Sequence, residues 1–396
     1  MTARTDSGLP VMLTWYDNSE IFGDGAIKQP RTFLPTFLVP PRDTFGSGDP
    51  PVGFNVYNQA YREHVRSHGY QWRDTLQSLV GQSSNVVDFP TEAIAVKTVW
   101  WPVRHDGLTA FPVWDNRPTR PIEWGTGIGQ LVDQGYFGPL SPNQEQELKS
   151  HETHGNEWGV FNRVVAISPF TVTSDTTEIV FFDPTRNDFQ NTISRPAKVV
   201  PLNRFFHCRL NDSATLERLN NGLMGQLTEK FWGRALTEDD YLALIAVHVT
   251  TRETEEWVWT TYWWHDQPDE GFYGSEKPDL LPFPFDQFRM AEALSADLPQ
   301  AEDGGPHIAF NPYLEAGFAL GPTSNCMACH QRAGWTPQGF QDSFPVERGS
   351  LAPDDEFFQG NLRTHLLWSL VFRPRPLPAA AQSAEPEARP RGVLWE

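Results

Sequence analysis

Residues 240–266, DYLALIAVHVTTRETEEWVWTTYWWHD, carry the clearest periodic signal in the chain. Apolar and polar positions alternate on both sides of a charged centre, and β-branched and aromatic residues dominate both arms. That pattern predicts two long strands around a turn near 252–256. On the first arm His248 shares a side of the pleat with Leu242, Leu244 and Ala246. On the second, His265 shares a side with Trp257, Trp259 and Trp263. Counting outward from that turn sets His265 opposite about residue 242. The two histidines then lie on the order of 20 Å apart along the sheet, too far to meet one metal ion.

The same reading extends to other segments. Residues 92–103, EAIAVKTVWWPV, alternate and are rich in β-branched and aromatic side chains, and 162–172, 176–183 and 197–210 look alike. Residues 55–80 contain no Pro and only one Gly, Gly69. There Tyr57, Tyr61, His64 and His68 recur at helical spacing, which predicts one or two helices. Residues 212–227 open on an Asp-Ser cap and read as a helix. A further short helix is expected within 354–371. The Pro-, Gly- and Asp-rich first fifty residues are expected to wrap the surface, and no repeat of 20–50 residues is visible. The expected fold class is α+β and β-dominated, an antiparallel sheet or sandwich with few helices. One large domain is expected over 1–375, followed by a Pro/Ala-rich, disordered tail at 376–396.

Composition narrows the function classes. The chain has 396 residues, of which 39% are hydrophobic, with 15 Trp and 27 Phe, enough for a substantial core. The formal net charge is -19, so a polyphosphate partner is repelled and nucleic acid is not expected. No window approaches the roughly 18 apolar residues of a membrane span. The 3 Cys cannot build a disulfide framework.

Two of those cysteines stand in residues 321–335, GPTSNCMACHQRAGW, where Cys326, Cys329 and His330 have C-x-x-C-H spacing. The spacing suits covalent haem. Two thiols form thioethers with the two vinyl groups, and the adjacent imidazole is held toward the iron. Composition alone gives roughly a 6 × 10⁻⁴ chance of the pattern arising anywhere in the chain. A zinc site wants a second Cys pair or a nearby His pair. The only other cysteine is Cys208, and the close pairs His64/His68 and His151/His154 lie far upstream. A thioredoxin-like redox pair would need a βαβ context that this Pro/Gly-rich approach lacks. One haem c is therefore expected in the segment at about 305–345, attached through Cys326 and Cys329 with His330 as proximal iron ligand.

The other axial position is less defined. No Met follows Met327, so the Met/His arrangement of small cytochromes is missing in its usual order. Met224 and Met290 lie upstream, where core filling is the ordinary role of Met. The histidine candidates are His248, His265, His307 and His365. His265 is the expected distal ligand, because it closes a Trp-rich strand and precedes Asp266, which can orient its imidazole. His248 is the runner-up, and an open sixth site is the third option. Arg332, just after the motif, is a candidate partner for a haem propionate.

The stretches HVTTRETEEWVWTTYWWHD (248–266) and FNPYLEAGFALGPTSNCMACHQRA (310–333) resemble an exported bacterial family of monohaem cytochrome c proteins. These carry an HVT…WVWATF hairpin upstream of a C-terminal SNCxxCH motif. AVKTVWWPV (95–103) is also similar. The resemblance covers mainly the second half, and the family has no settled reaction. It implies a redox protein with one covalent haem in the periplasm or another exported location. No signal peptide is visible at the start of the chain, so its removal is assumed. Electron transfer to a redox partner protein is the first expectation. The alternative is a haem enzyme with an open distal site acting on peroxide, dioxygen or a small aromatic substrate, with the hairpin aromatics as pocket or relay. A haem-based sensor is third.

Overall fold

The computed structural model describes residues 11–23, 54–113, 142, 163–171, 175–182, 192–211, 213–221, 223–275, 277–297, 309, 311, 313, 326–340 and 349–378. The expected α+β, β-dominated class is what these residues form. Fourteen strands fall into three sheets, with short helices around them.

The main sheet contains β1 (Tyr16–Asp17), β2 (Phe54–Tyr57), β3 (Ile94–Val103), β9 (Tyr241–Thr251), β10 (Val258–Trp264) and β11 (Phe288–Ala293), in that spatial order. A short β8 (His207–Arg209) pairs beside β9, and every pairing in this sheet is antiparallel. The central β9 reads as an almost unbroken apolar run because both its faces are covered. A four-stranded sheet holds β4 (Thr109–Val113), β5 (Arg163–Ser168), β7 (Thr192–Pro201) and β6 (Thr176–Phe182). Here β5 and β7 run parallel, a departure from the all-antiparallel expectation. A small third sheet joins β13 (Gly339–Phe340), β12 (Gly334–Thr336) and β14 (Leu362–Arg363).

Aromatic side chains fill the junction between the first two sheets. Phe205 stacks on Trp264 at 4.1 Å, and Phe111 meets Trp264, Tyr313 and Trp101. Polar tips are satisfied: the Tyr313 hydroxyl donates to the Pro112 carbonyl at 2.7 Å, and the Trp101 indole to that of Ala110 at 3.0 Å. Each such buried ring contributes roughly 1.5–3 kcal/mol of transfer free energy.

Three sequence expectations change in detail. The 55–80 segment begins as a strand, and its helical part is two helices, Gln59–Ser67 and Arg73–Leu79. The Asn58 side chain caps the first, and Gly69, at φ +71°, carries the chain out of it. The 212–227 segment splits into Ser213–Asn220 and Leu223–Trp232, which pack so closely that a Cβ at Gly225 would lie 2.1 Å from the Asn220 carbonyl oxygen. The short helix expected within 354–371 is confined to the end of that segment: a 3₁₀ turn at Glu356–Phe358 comes first, then β14, then a one-turn α-helix at Ser369–Phe372. Positive φ at Gly360, His365 and Leu366 breaks the helical path.

The tail beyond residue 378 and most of the first fifty residues lie outside the described residues. Among the described residues no helix is long and apolar enough to cross a membrane.

Candidate functional site

The site grows from the register of the central hairpin. The turn between β9 and β10 spans residues 252–257, and Thr261 pairs with His248. Trp257 takes φ 64° inside this turn. The register therefore differs from the count made from a turn at 252–256. His265 lies four positions beyond Thr261, ~13 Å along the strand from the His248 level. The expected separation was six positions.

Across the sheet, Asn55, Lys97, His248, Thr261 and Ala291 occupy one row. Trp259 lies two residues from Thr261 on the same face of β10. Against this face sits the one-turn helix Cys326–His330. The His330 ring packs on Trp259 with centroids 4.0 Å apart and planes tilted by 48°.

Cys326 is buried, while Cys329 and His330 are half-buried. Positions i, i+3 and i+4 bring all three to one side of the turn. The Cys326 thiol points to the Ala309 carbonyl at 3.5 Å. Arg332 closes the turn from behind. Its buried guanidinium donates to the carbonyl of Ala328 and, at 2.6 Å, to that of Gly349.

The His330 imidazole is held by its Nδ1, 2.7 Å from the Leu366 carbonyl oxygen. A carbonyl only accepts, so Nδ1 carries the proton and the lone pair is on Nε2. A backbone carbonyl on the remote nitrogen is the usual way to orient a ligating imidazole. Burial lowers the His330 pKa to about 4; the Leu366 bond opposes the shift and the Lys97 ammonium adds to it. His248 is held well below its ordinary value by burial first, then by Lys97 and by the neighbouring His330. Both imidazoles are therefore neutral near pH 7, the form that binds metal.

The His248 Nε2 is buried and has no hydrogen-bond partner among the described residues, and Asn55 Oδ1 in the same row is in the same state. Each orphan of this kind costs roughly 1–3 kcal/mol. The donor set fits covalent haem: two cysteines and an oriented imidazole on one turn, facing a second neutral histidine. Among the described residues no three His, Cys, Asp or Glu side chains come together to enclose an ion, so a tetrahedral centre would need ligands from beyond them.

The other sequence candidates separate from this site. His265 is fully buried at the end of β10, where its Nδ1 accepts from the Gln267 amide at 2.9 Å and lies 3.7 Å from Asp266. Asp266 itself is clamped by Arg163. His365 uses both ring nitrogens, with Trp257 at 3.0 Å and Asp88 at 2.9 Å. His64 and His68 lie with ring centroids 4.3 Å apart at the end of the Gln59–Ser67 helix, with His64 Nε2 on the Val87 carbonyl. Met290 pairs with Tyr262 and so points away from the His248 row. His307, His151, His154 and the Met224 side chain lie outside the described residues.

The hairpin aromatics divide as well. Trp264 stacks on Phe205 and Trp263 meets Tyr273 at 4.8 Å, both in the core. Trp259 touches His330, and Trp257 serves His365. Sequence reasoning missed the Leu366 carbonyl as the partner of His330 and the Trp257–His365 hydrogen bond beside it. Their link is backbone conformation, which no side-chain pattern encodes. Lys97 was also missed, although its place opposite His248 follows once the β3–β9 register is known. No family model matches the sequence, no curated protein matches it, and no solved structure matches the chain.

Proposed function

We propose that this chain is a c-type cytochrome carrying one haem on Cys326 and Cys329, with His330 as proximal ligand and His248 as the residue best placed for the other axial position. The observation that carries the reading is the pair of neutral imidazoles on one face of the sheet, one oriented through Nδ1 and the other with a buried, unpartnered Nε2. When bound, haem supplies a reversible one-electron couple. The chain's own residues do the rest. Leu366 fixes the tautomer of His330, Trp259 covers its ring, and burial, with Lys97 adding to it, keeps both histidines deprotonated.

Electron transfer follows as the activity, with an exported location because haem is joined to this motif outside the cytoplasm. The net charge of -19 favours a redox partner with a basic docking face. The proposal rests on the site, since the comparisons supply no relative.

The test is the absorption spectrum of ferric and ferrous protein with and without carbon monoxide, for the native chain and for His248→Ala. A low-spin native spectrum indifferent to carbon monoxide, turned high-spin and carbon-monoxide-binding by the substitution, supports the proposal. A native protein that is already high-spin and binds carbon monoxide or peroxide favours the enzyme with an open distal site. No change on His248→Ala removes that residue from the iron.

A further inference from the structure

Among the described residues three non-glycine positions have φ between +56° and +65°: Trp257, His365 and Leu366. Each such position costs on the order of 1–2 kcal/mol for an L residue and persists only where the surroundings hold it. All three meet behind His330. Leu366 presents the carbonyl that accepts from His330 Nδ1. His365, its neighbour in the chain, has Nδ1 3.0 Å from Trp257 Nε1 and Nε2 2.9 Å from Asp88 Oδ1.

An indole N–H only donates, so His365 Nδ1 accepts and the His365 proton sits on Nε2, directed at the Asp88 carboxylate. The His365 ring is thereby pinned from two sides. Trp257 is wholly buried and packs on Phe89 and near Tyr61 at 5.5 and 6.5 Å, so one pin is rigid. Asp88 is 79% exposed, so the other opens to solvent. Trp257 leaves the hairpin two residues before Trp259, whose ring covers His330. One short segment therefore supplies both the cover of the imidazole and the anchor of its hydrogen-bond acceptor.

We propose that the Trp257–His365 couple is a positioning device for His330: it holds the strained 365–366 turn so that the Leu366 carbonyl fixes the protonated nitrogen and the ring angle of the imidazole. The inference rests on the haem reading for its purpose, because a firmer Nδ1–H bond makes the imidazole a stronger donor to ferric iron and lowers the reduction potential. Its structural content concerns His330 alone and holds with or without haem. Trp257 and His365 touch neither iron nor substrate and act only through Leu366.

Two readouts on the full chain separate the two readings. In the Cys326→Ala/Cys329→Ala chain, ¹⁵N spectra of the histidines report the His330 tautomer directly. Trp257→Phe, which keeps a ring and removes the N–H, converts a single Nδ1–H tautomer into a mixture. His365→Asn, which tolerates positive φ and keeps a short acceptor, stays close to the parent. In the haem-loaded chain, Trp257→Phe raises the midpoint potential and His365→Asn moves it less. Folded Trp257→Phe protein with an unchanged His330 tautomer overturns the positioning role, as does a parent chain protonated on Nε2. Should the native chain carry no haem, the haem reading fails and the tautomer measurement still decides the clamp.

Discussion

Two buried polar clusters lie at the two ends of β9, and they are built to opposite ends. At the Tyr241 end, fully buried Asp240 accepts from Arg234 at 2.7 and 2.8 Å, from the His105 amide and ring at 2.9 and 2.8 Å, and from the Thr237 amide at 2.8 Å. Burial pushes its pKa up, and the hydrogen bonds from Arg234, His105 and Thr237 outweigh that and hold it well below the usual carboxylate range. At the other end, His248 and His330 are kept neutral, and His248 Nε2 finds no hydrogen-bond partner among the described residues. A saturated cluster ties loops to the sheet and has no capacity for a ligand. An incompletely satisfied one costs stability in the protein alone, and the proposed haem would give that cost a purpose.

Substitutions break this comparison in a graded way. The largest effect is expected for Asp240→Ala, which leaves Arg234, His105 and Thr237 facing an empty site. Loss of about 3 kcal/mol in urea unfolding is predicted, at the low end of the range for a broken buried pair because Arg234 retains some water. The spectrum of bound haem should not move. At the other cluster the sign reverses. His248→Leu removes an orphaned polar atom, so the haem-free chain should gain about 1 kcal/mol by the same unfolding measurement while distal coordination is lost. A loss of stability instead would mean that His248 has a structural partner.

A pH dependence separates the two clusters by the window in which each acts. Burial, with help from His68, lowers His64 to about 4, and burial does the same to His330. Between pH 6.5 and 4 the unfolded chain takes up these protons and the folded chain does not, so stability falls as acid is added over that window. Asp240 acts in the same direction but in a lower window: its share is present above pH 3.8 and is lost only as the pH falls further. Urea midpoints measured from pH 7 to 4 should therefore decline, and His64→Gln should flatten the slope. A flat profile in the native haem-free chain would contradict neutral buried histidines.

Much of this was legible in the sequence. The hairpin, β3 and the β-dominated class follow from period-two alternation, and Cys326, Cys329 and His330 follow from their spacing. His248 and His265 are both visible in the sequence; the Trp-rich strand and the adjacent Asp266 point to His265, whose ring the structure engages with the Gln267 amide instead. Trp257 lies inside the turn with positive φ, so a count from the charged residues alone sets the pairing two positions off. The supports of His330 were not legible, because they depend on a turn at His365 and Leu366 whose conformation is imposed by tertiary contacts. Propensity favours helix there and loses.

The central claim is that Cys326 and Cys329 hold haem covalently. Its most direct test is the intact mass, under denaturing conditions, of the chain made in a host that attaches c-type haem. The account predicts a chain heavier by one haem, with the added mass lost in Cys326→Ala/Cys329→Ala. A native chain of unmodified mass with two reactive thiols would contradict it.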